Sequence, residues 1–298
     1  MTADVGLTRP PTKHAEHAEH GNRRRRSLAR AIVSQVLLTV VLLFFLAPFA
    51  WAFLTALKPP AEVFSTPPKP FGSHIVWHNF VEAWNYLPFG RFMVNGILVS
   101  LLGTLVVLVS STLAAYAFAR LSFRGRDRIF LVYLGTLMIP QEVLVVPMFI
   151  LMQQLGWVNS YAALVLPWAF TAFGTFLLRQ FFLGIPQELE EAAMVDGAGR
   201  LRVLLQIIVP IAKPALAVLA VFTFINYWNS FLWPLIIVNT TDMATVPLGL
   251  NMFRGQQGNQ WHLMMAASMI SMLPSVAMLL LLQRHLVRGI ALSGLGGR

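Results

Sequence analysis

From residue 31 to residue 57 the chain runs through 27 positions without a charged side chain. Runs that are uncharged or nearly so recur at 92–119, 129–153, 161–178, 214–238 and 263–282. At a helical rise of about 1.5 Å per residue, each is about long enough to cross a hydrocarbon core roughly 30 Å thick. Backbone groups facing lipid must be paired within their own segment, and the period-two alternation of barrel strands is absent. The predicted fold is therefore all-α, a polytopic membrane protein with six transmembrane helices. A hydrophobic fraction of 57% and a mean hydropathy of +0.67 exclude a water-soluble globule. No soluble block is long enough to bury a core of its own, so the domain reading is one transmembrane domain over 31–290, with a disordered basic tail at 1–30 and a short tail at 291–298.

Six crossings put both termini on one side, and the basic residues say which. Of the 22 Lys and Arg, 18 fall in 1–30, 120–128, 179–213 and after 282, whereas the alternate loops hold Lys58, Lys69, Arg91 and Arg254. This asymmetry places both termini in the cytoplasm and the chain in the cell membrane. The net charge of +10 is thereby assigned to loops facing anionic lipid rather than to nucleic acid. The four arginines at 23–26 precede the first run as the basic part of a secretion signal would, but the run is too long and "TALKPPAE" is a poor cleavage site, so it reads as an uncleaved helix. His14, His17 and His20 have metal-capable spacing within a low-complexity tail, and no metal site is predicted from them. With no cysteine, the chain has no disulfide framework and no thiol nucleophile.

One loop departs from this apolar pattern. Glu188, Glu190, Glu191 and Asp196, a third of the chain's 12 acids, fall within nine positions. Pro186 suits a first helical turn, the carboxylates sit where a helix N-terminus favours anions, and Gly197 and Gly199 supply a stop, with φ > 0 expected at Gly197. A cytoplasmic helix of about three turns follows, with Leu189, Ala192 and Ala193 near one face. A second helical pattern starts at Arg200 and meets Pro210 and Pro214. Two readings remain: an interfacial elbow, or a helix laid into a groove on another protein.

The stretch "EAAMVDGAGRLRVLLQIIVP" resembles the cytoplasmic signature of binding-protein-dependent ABC importer permeases: Glu-Ala-Ala, three residues, Gly, nine residues, Ile, one residue, Leu-Pro. The matching positions are Glu191, Ala192, Ala193, Gly197, Ile207 and Pro210, with Val209 in place of Leu. Segments such as "NYWNSFLWPL" at 226–235, "FLLRQFF" at 176–182 and "LQRHLVRGI" at 282–290 are similar to the carbohydrate-uptake branch, the maltose-type permeases. The resemblance implies a permease half that pairs with a second homologous permease as a heterodimer, sits on two ATPase subunits and receives solute from an extracytoplasmic binding protein. It makes the loop at 185–213 the ATPase-coupling segment, through Glu188, Glu191, Ala192, Ala193, Asp196, Gly197 and Pro210. It also implies that the loop containing Arg254, Gly255, Gln256, Gln257, Gly258 and Asn259 reaches the binding protein; read from its residues alone, 239–262 is a polar, flexible connector.

The chain has no Gly-x-x-x-x-Gly-Lys-Ser/Thr phosphate loop, so ATP and Mg would be bound by partner ATPases and no cofactor by this chain. It is not expected to be an enzyme. Glu142 is the one acid inside an apolar run, beside Pro140 and Pro147, and either lines the translocation path or satisfies backbone groups freed by a broken helix. Asn226, Tyr227, Trp228, Asn229 and Trp233 offer aromatic faces and neutral hydrogen-bonding groups suited to a sugar, or else interfacial and interhelical packing. The Pro- and aromatic-rich segment at 58–91 is expected to lie along the membrane surface. Gly96, Ser100 and Gly103 suit close helix packing. Glycerol-phosphate uptake is an alternative within the same family reading. An ion-coupled secondary transporter is disfavoured by sparse intramembrane charge and the absence of internal repeats.

Overall fold

The computed structural model describes the backbone of residues 13–255 and 258–295, and side chains over 31–254 and 259–283. Contacts divide the chain into two compact units at Leu54 and Thr55. The first is taken up by helix α1 (Lys13–Ala56), whose 31–56 portion is apolar enough to cross a membrane. The tail expected to be disordered is therefore helical from Lys13 onward. Its Ala, Glu and Arg content favours helix, and no Gly-Pro break separates it from the apolar run. Residues 1–12 lie outside the described ones.

The second unit is built around α3 (Phe89–Arg120), a 32-residue helix. It packs against α7 (Ala172–Leu183) and α11 (Lys213–Trp228), and α11 in turn packs against α14 (Trp261–Leu295). Small residues permit the close approach. A Cβ built on Gly96 would stand 3.0 Å from the Trp228 ring, and one on Gly103 would stand 2.5 Å from the Tyr227 ring. The expected packing role of this stripe thus has a definite partner, the aromatic pair of α11.

Three of the expected spans are broken helices. Between α4 (Arg126–Gly135) and α5 (Gln141–Gln154) the axis turns by 99°. Pro140 removes a donor and holds Ile139 in the extended region (ψ 115°), ending the first helix before the second starts. The short α6 (Tyr161–Val165) continues as a 3-10 turn at Leu166–Trp168 and meets α7 at 51° across the break that follows, its N-terminus capped by Ser160 Oγ accepting from Ala163 N at 3.2 Å. The acidic helix α8 (Glu188–Val195) spans eight residues, nearer two turns than the expected three, because Gly197 turns the chain at φ +84°. Beyond it, α9 (Arg200–Val203) widens into a π turn at Leu204–Ile208, continues as α10 (Val209–Ile211) and joins α11 after an 80° bend. The π turn precedes Pro210, whose ring would clash with a carbonyl in a regular α-helical register. By length and composition, three helices suffice to cross a membrane, or up to six if each bent pair is one span.

Both long connecting segments contain short helices, and the second differs from expectation. The 58–91 loop contains α2 (His78–Tyr86), which packs on α14, with Asn79 Nδ2 donating to the carbonyls of Ala56 (2.8 Å) and Lys58 (2.9 Å). The 239–262 connector, expected to be flexible, contains α13 (Val246–Met252) with Val246 and Leu248 buried. Pro247 in its first turn and apolar side chains on one face form a helix despite the polar flanks. Helix α12 (Leu232–Ile237) follows α11.

Candidate functional site

Helix α8 has two unlike faces. Glu188, Leu189, Glu191, Ala192 and Val195 are exposed, Val195 to 88%. Glu190 is buried, and Ala193 and Met194 are half-buried against the cluster formed by α3, α7 and the 203–208 turn. Spacings of three and four residues separate 188, 191, 192 and 195 from 190, 193 and 194, as helical periodicity requires. Ala193, expected beside Ala192 on the outer ridge, therefore faces inward. Asp196 and Gly197 follow on the exposed side, and Pro210 is exposed in α10.

Glu190 was counted in the acidic cluster but not marked as a site residue by its sequence. Its Oε1 lies 2.6 Å from Arg120 Nε at the end of α3, with both side chains almost wholly withdrawn from water (3% and 4% exposed). Tyr116 Oη donates to Glu190 Oε2 at 3.3 Å. Arg120 Nη2 also donates to the carbonyls of Phe182 (2.7 Å) and Ile185 (2.5 Å), which end α7 and begin the link to α8. A second arginine, Arg179, donates to the Phe118 carbonyl at 3.2 Å and lies 4.3 Å from the Phe130 ring centroid. The end of α3 is thus joined to α4, α7 and α8 by two guanidinium groups.

A cavity of about 420 Å³ opens where the break before α5 meets the end of α11. Glu142, Asn226, Tyr227, Asn229 and Trp233 all line it, together with Gln141, Trp168 and Ser230. Two polar tips are already occupied: Tyr227 Oη donates to the Val165 carbonyl and Trp233 Nε1 to the Ala163 carbonyl, each at 2.8 Å. Trp168 meets Trp233 edge to face at 5.6 Å. These rings offer carbon surface to the cavity, and Gln141, Glu142, Asn226, Asn229 and Ser230 offer hydrogen-bonding groups. Trp228 does not line it. Its indole donates to the Ser271 carbonyl at 3.1 Å, stacks on Phe224 and covers Gly96. Asn226 lies in the last turn of α11 with Asn229 and Ser230 just past its end, whereas 228 points about 200° away from 226, so the sequence patch divides.

In the 239–262 loop, strands β1 (Arg254–Gly255) and β2 (Gly258–Asn259) pair as a two-residue antiparallel ladder. Arg254 lies over the Trp261 ring at 4.8 Å. Gln256 and Gln257 fall outside the described residues. Among those that are described, no group of three or more His, Cys, Asp or Glu could hold a metal; His14, His17 and His20 lie outside the described side chains.

Broken membrane helices around a polar recess, with one short helix presenting an exposed face, define the class as a multi-pass transport permease. Residues 107–292 match the family described as the binding-protein-dependent transport system inner membrane component. The sn-glycerol-3-phosphate transport system permease protein UgpE of Pectobacterium atrosepticum is 38% identical over 268 residues, covering 87% of this chain and 95% of that protein. The trehalose/maltose transport system permease protein MalG of Thermococcus litoralis is 36% identical over 271 residues, covering 89% and 96%. The crystal structure of a bacterial ABC transporter involved in the import of the acidic polysaccharide alginate shares the fold, with a TM-score of 0.76 at 22% identity over 88% of this chain and 98% of that one. The chain belongs to the binding-protein-dependent inner-membrane permease family of ABC importers.

Proposed function

We propose that this chain forms half of the translocation path for a sugar or sugar-like solute. Import is powered by ATP hydrolysis on two separate ATPase subunits docked at the 185–200 loop. The observation that carries this reading is the outward face of α8: Glu188, Leu189, Glu191, Ala192 and Val195 stand exposed within and just before the coupling signature. A second, homologous permease completes the path as a heterodimer. A binding protein delivers solute on the extracytoplasmic side, against the 254–259 turn. Six crossings with cytoplasmic termini and membrane lipid around them complete the arrangement, with 31–290 as the permease domain. ATP and Mg belong to the ATPase partners; this chain carries no cofactor and no catalytic site.

Glycerol-phosphate is the second reading, favoured by the name of the UgpE relative. The cavity chemistry favours a neutral solute. Its lining includes the Glu142 carboxylate, aromatic faces and amides but no Lys, Arg or His. A phosphate would meet like charge there without a compensating cation.

Purification of the tagged chain from its own host in mild detergent, followed by mass spectrometry, tests the assembly. Recovery of a second permease and an ATPase is expected, with the ATPase lost from Gly197→Trp. A chain that purifies alone would overturn the reading. Stimulation of the recovered ATPase by sugars against sn-glycerol 3-phosphate, with the cognate binding protein present, separates the two solute classes.

A further inference from the structure

Arg120 stands where three segments meet. It terminates α3, its Nη2 takes the last carbonyls around the end of α7 at 2.7 and 2.5 Å, and its Nε lies 2.6 Å from the Glu190 carboxylate on α8. Tyr116, one turn back on α3, donates to the second oxygen of that carboxylate. Stability alone is a poor account of such a pair. Two charges withdrawn from water lose much of their mutual attraction to desolvation, and an apolar pair of similar volume would pack as well. What an apolar pair lacks is a tether of this kind: the guanidinium holds the Phe182 and Ile185 carbonyls by directed hydrogen bonds from Nη2, and the Glu190 carboxylate is held beside Nε as a close ion pair rather than by an aligned hydrogen bond.

We propose that Arg120 and Glu190 form a fixed joint through which displacement of α8 is passed to α3 and α7, making both of them positioning residues for transport. The proposal rests on the reading of α8 as the ATPase-docking helix. The joint uses the inner face of α8, so it leaves the outer face available for docking. From α3 the displacement reaches the cavity directly, because Gly103 lies against Tyr227, which lines it.

The absence of cysteine allows a test that needs no knowledge of the solute. Asn229→Cys places a thiol in the cavity lining. Its labelling by a maleimide is followed in the purified complex, with and without ATP, Mg and vanadate. In the otherwise unaltered complex the labelling rate is expected to change by about tenfold on trapping. With Glu190→Gln or Arg120→Lys added, the ATPase should still co-purify and hydrolyse ATP, while the labelling no longer responds. The combined variant should be no worse than either alone, as for two members of one joint. Retention of the response in both variants overturns the proposal. Loss of the ATPase from them also overturns it, by making the pair part of docking. If the unaltered complex does not respond, or has no ATPase, the failure lies in the underlying reading of α8 and the cavity instead. Should neither charged variant reach the membrane, Tyr116→Phe carries the test, since it removes one hydrogen bond to Glu190 and no charge. A weakened response at normal abundance supports the joint, and an unchanged one overturns it.

Discussion

Gly197 has φ +84° and nothing within 4 Å of the place a Cβ would occupy, so a larger residue meets no neighbour and the obstacle is its own backbone. The left-handed region costs an ordinary L-residue about 1–2 kcal/mol, and Asn tolerates it better than a β-branched side chain does. Gly197→Val is therefore expected to abolish ATPase recovery or coupling while the helical content measured by circular dichroism stays unchanged. Gly197→Asn should keep most of the wild-type activity. Equal behaviour of the two variants would show that φ is not what this position requires. Gly197 was legible in the sequence because a glycine after a short amphipathic segment is a common helix stop. Glu190 was not, since adjacent carboxylates look alike in a sequence and only the docking of the helix decides which one turns inward. Trp228 sits among polar and aromatic neighbours that suggested a binding patch, yet its place on the opposite face of α11 commits it to Gly96 and Ser271.

The contact of α3 with α11 depends on positions that carry no chemistry. A methyl added at Gly103 would stand 2.5 Å from the Tyr227 ring, which is itself held by the hydrogen bond from its hydroxyl to the Val165 carbonyl. Gly103→Ala is expected to cost about 1–3 kcal/mol as overpacking. The loss should appear as a lower midpoint in detergent thermal unfolding, and an unchanged midpoint would mean that α11 can shift freely. The apolar runs were readable because lipid demands uninterrupted hydrophobic length. The bends were partly readable: Pro140 flagged a break and Pro210 and Pro214 an interruption, but the 51° turn between α6 and α7 was not marked, and the angles follow from packing that no single run encodes. Helix α13 escaped notice because its seven residues are framed by Thr, Asp, Asn and Gly, which read as a loop.

At the scale of the whole molecule, the segment before α13 is held to α3 by the buried amide of Asn95, beside an exposed ion pair between Arg91 and Asp242 at 3.4 Å. Asn95 Nδ2 donates to the carbonyls of Asp242 (2.8 Å) and Ala244 (2.9 Å), and its Oδ1 accepts from Tyr161 Oη at 2.6 Å, tying α3, α6 and the segment before α13 together. Asn159 makes a similar tie, its Oδ1 accepting from the backbone of Asn239 and Thr240. Asn95→Ala would strand several of these groups at about 1–3 kcal/mol. Limited proteolysis should then cut the 239–245 segment faster than in the wild type, with α8 and its neighbourhood unaffected; equal cutting rates would show that the tie is dispensable.

The two faces of α8 also bear on how such a chain diversifies. A helix fastened through one side and read through the other keeps attachment and partner choice on separate residues. If α8 docks the ATPase as proposed, substitutions at 188, 191, 192 and 195 would re-address the chain to a different motor without loosening the linkage, whereas a change at 190 would alter the linkage and leave the address intact.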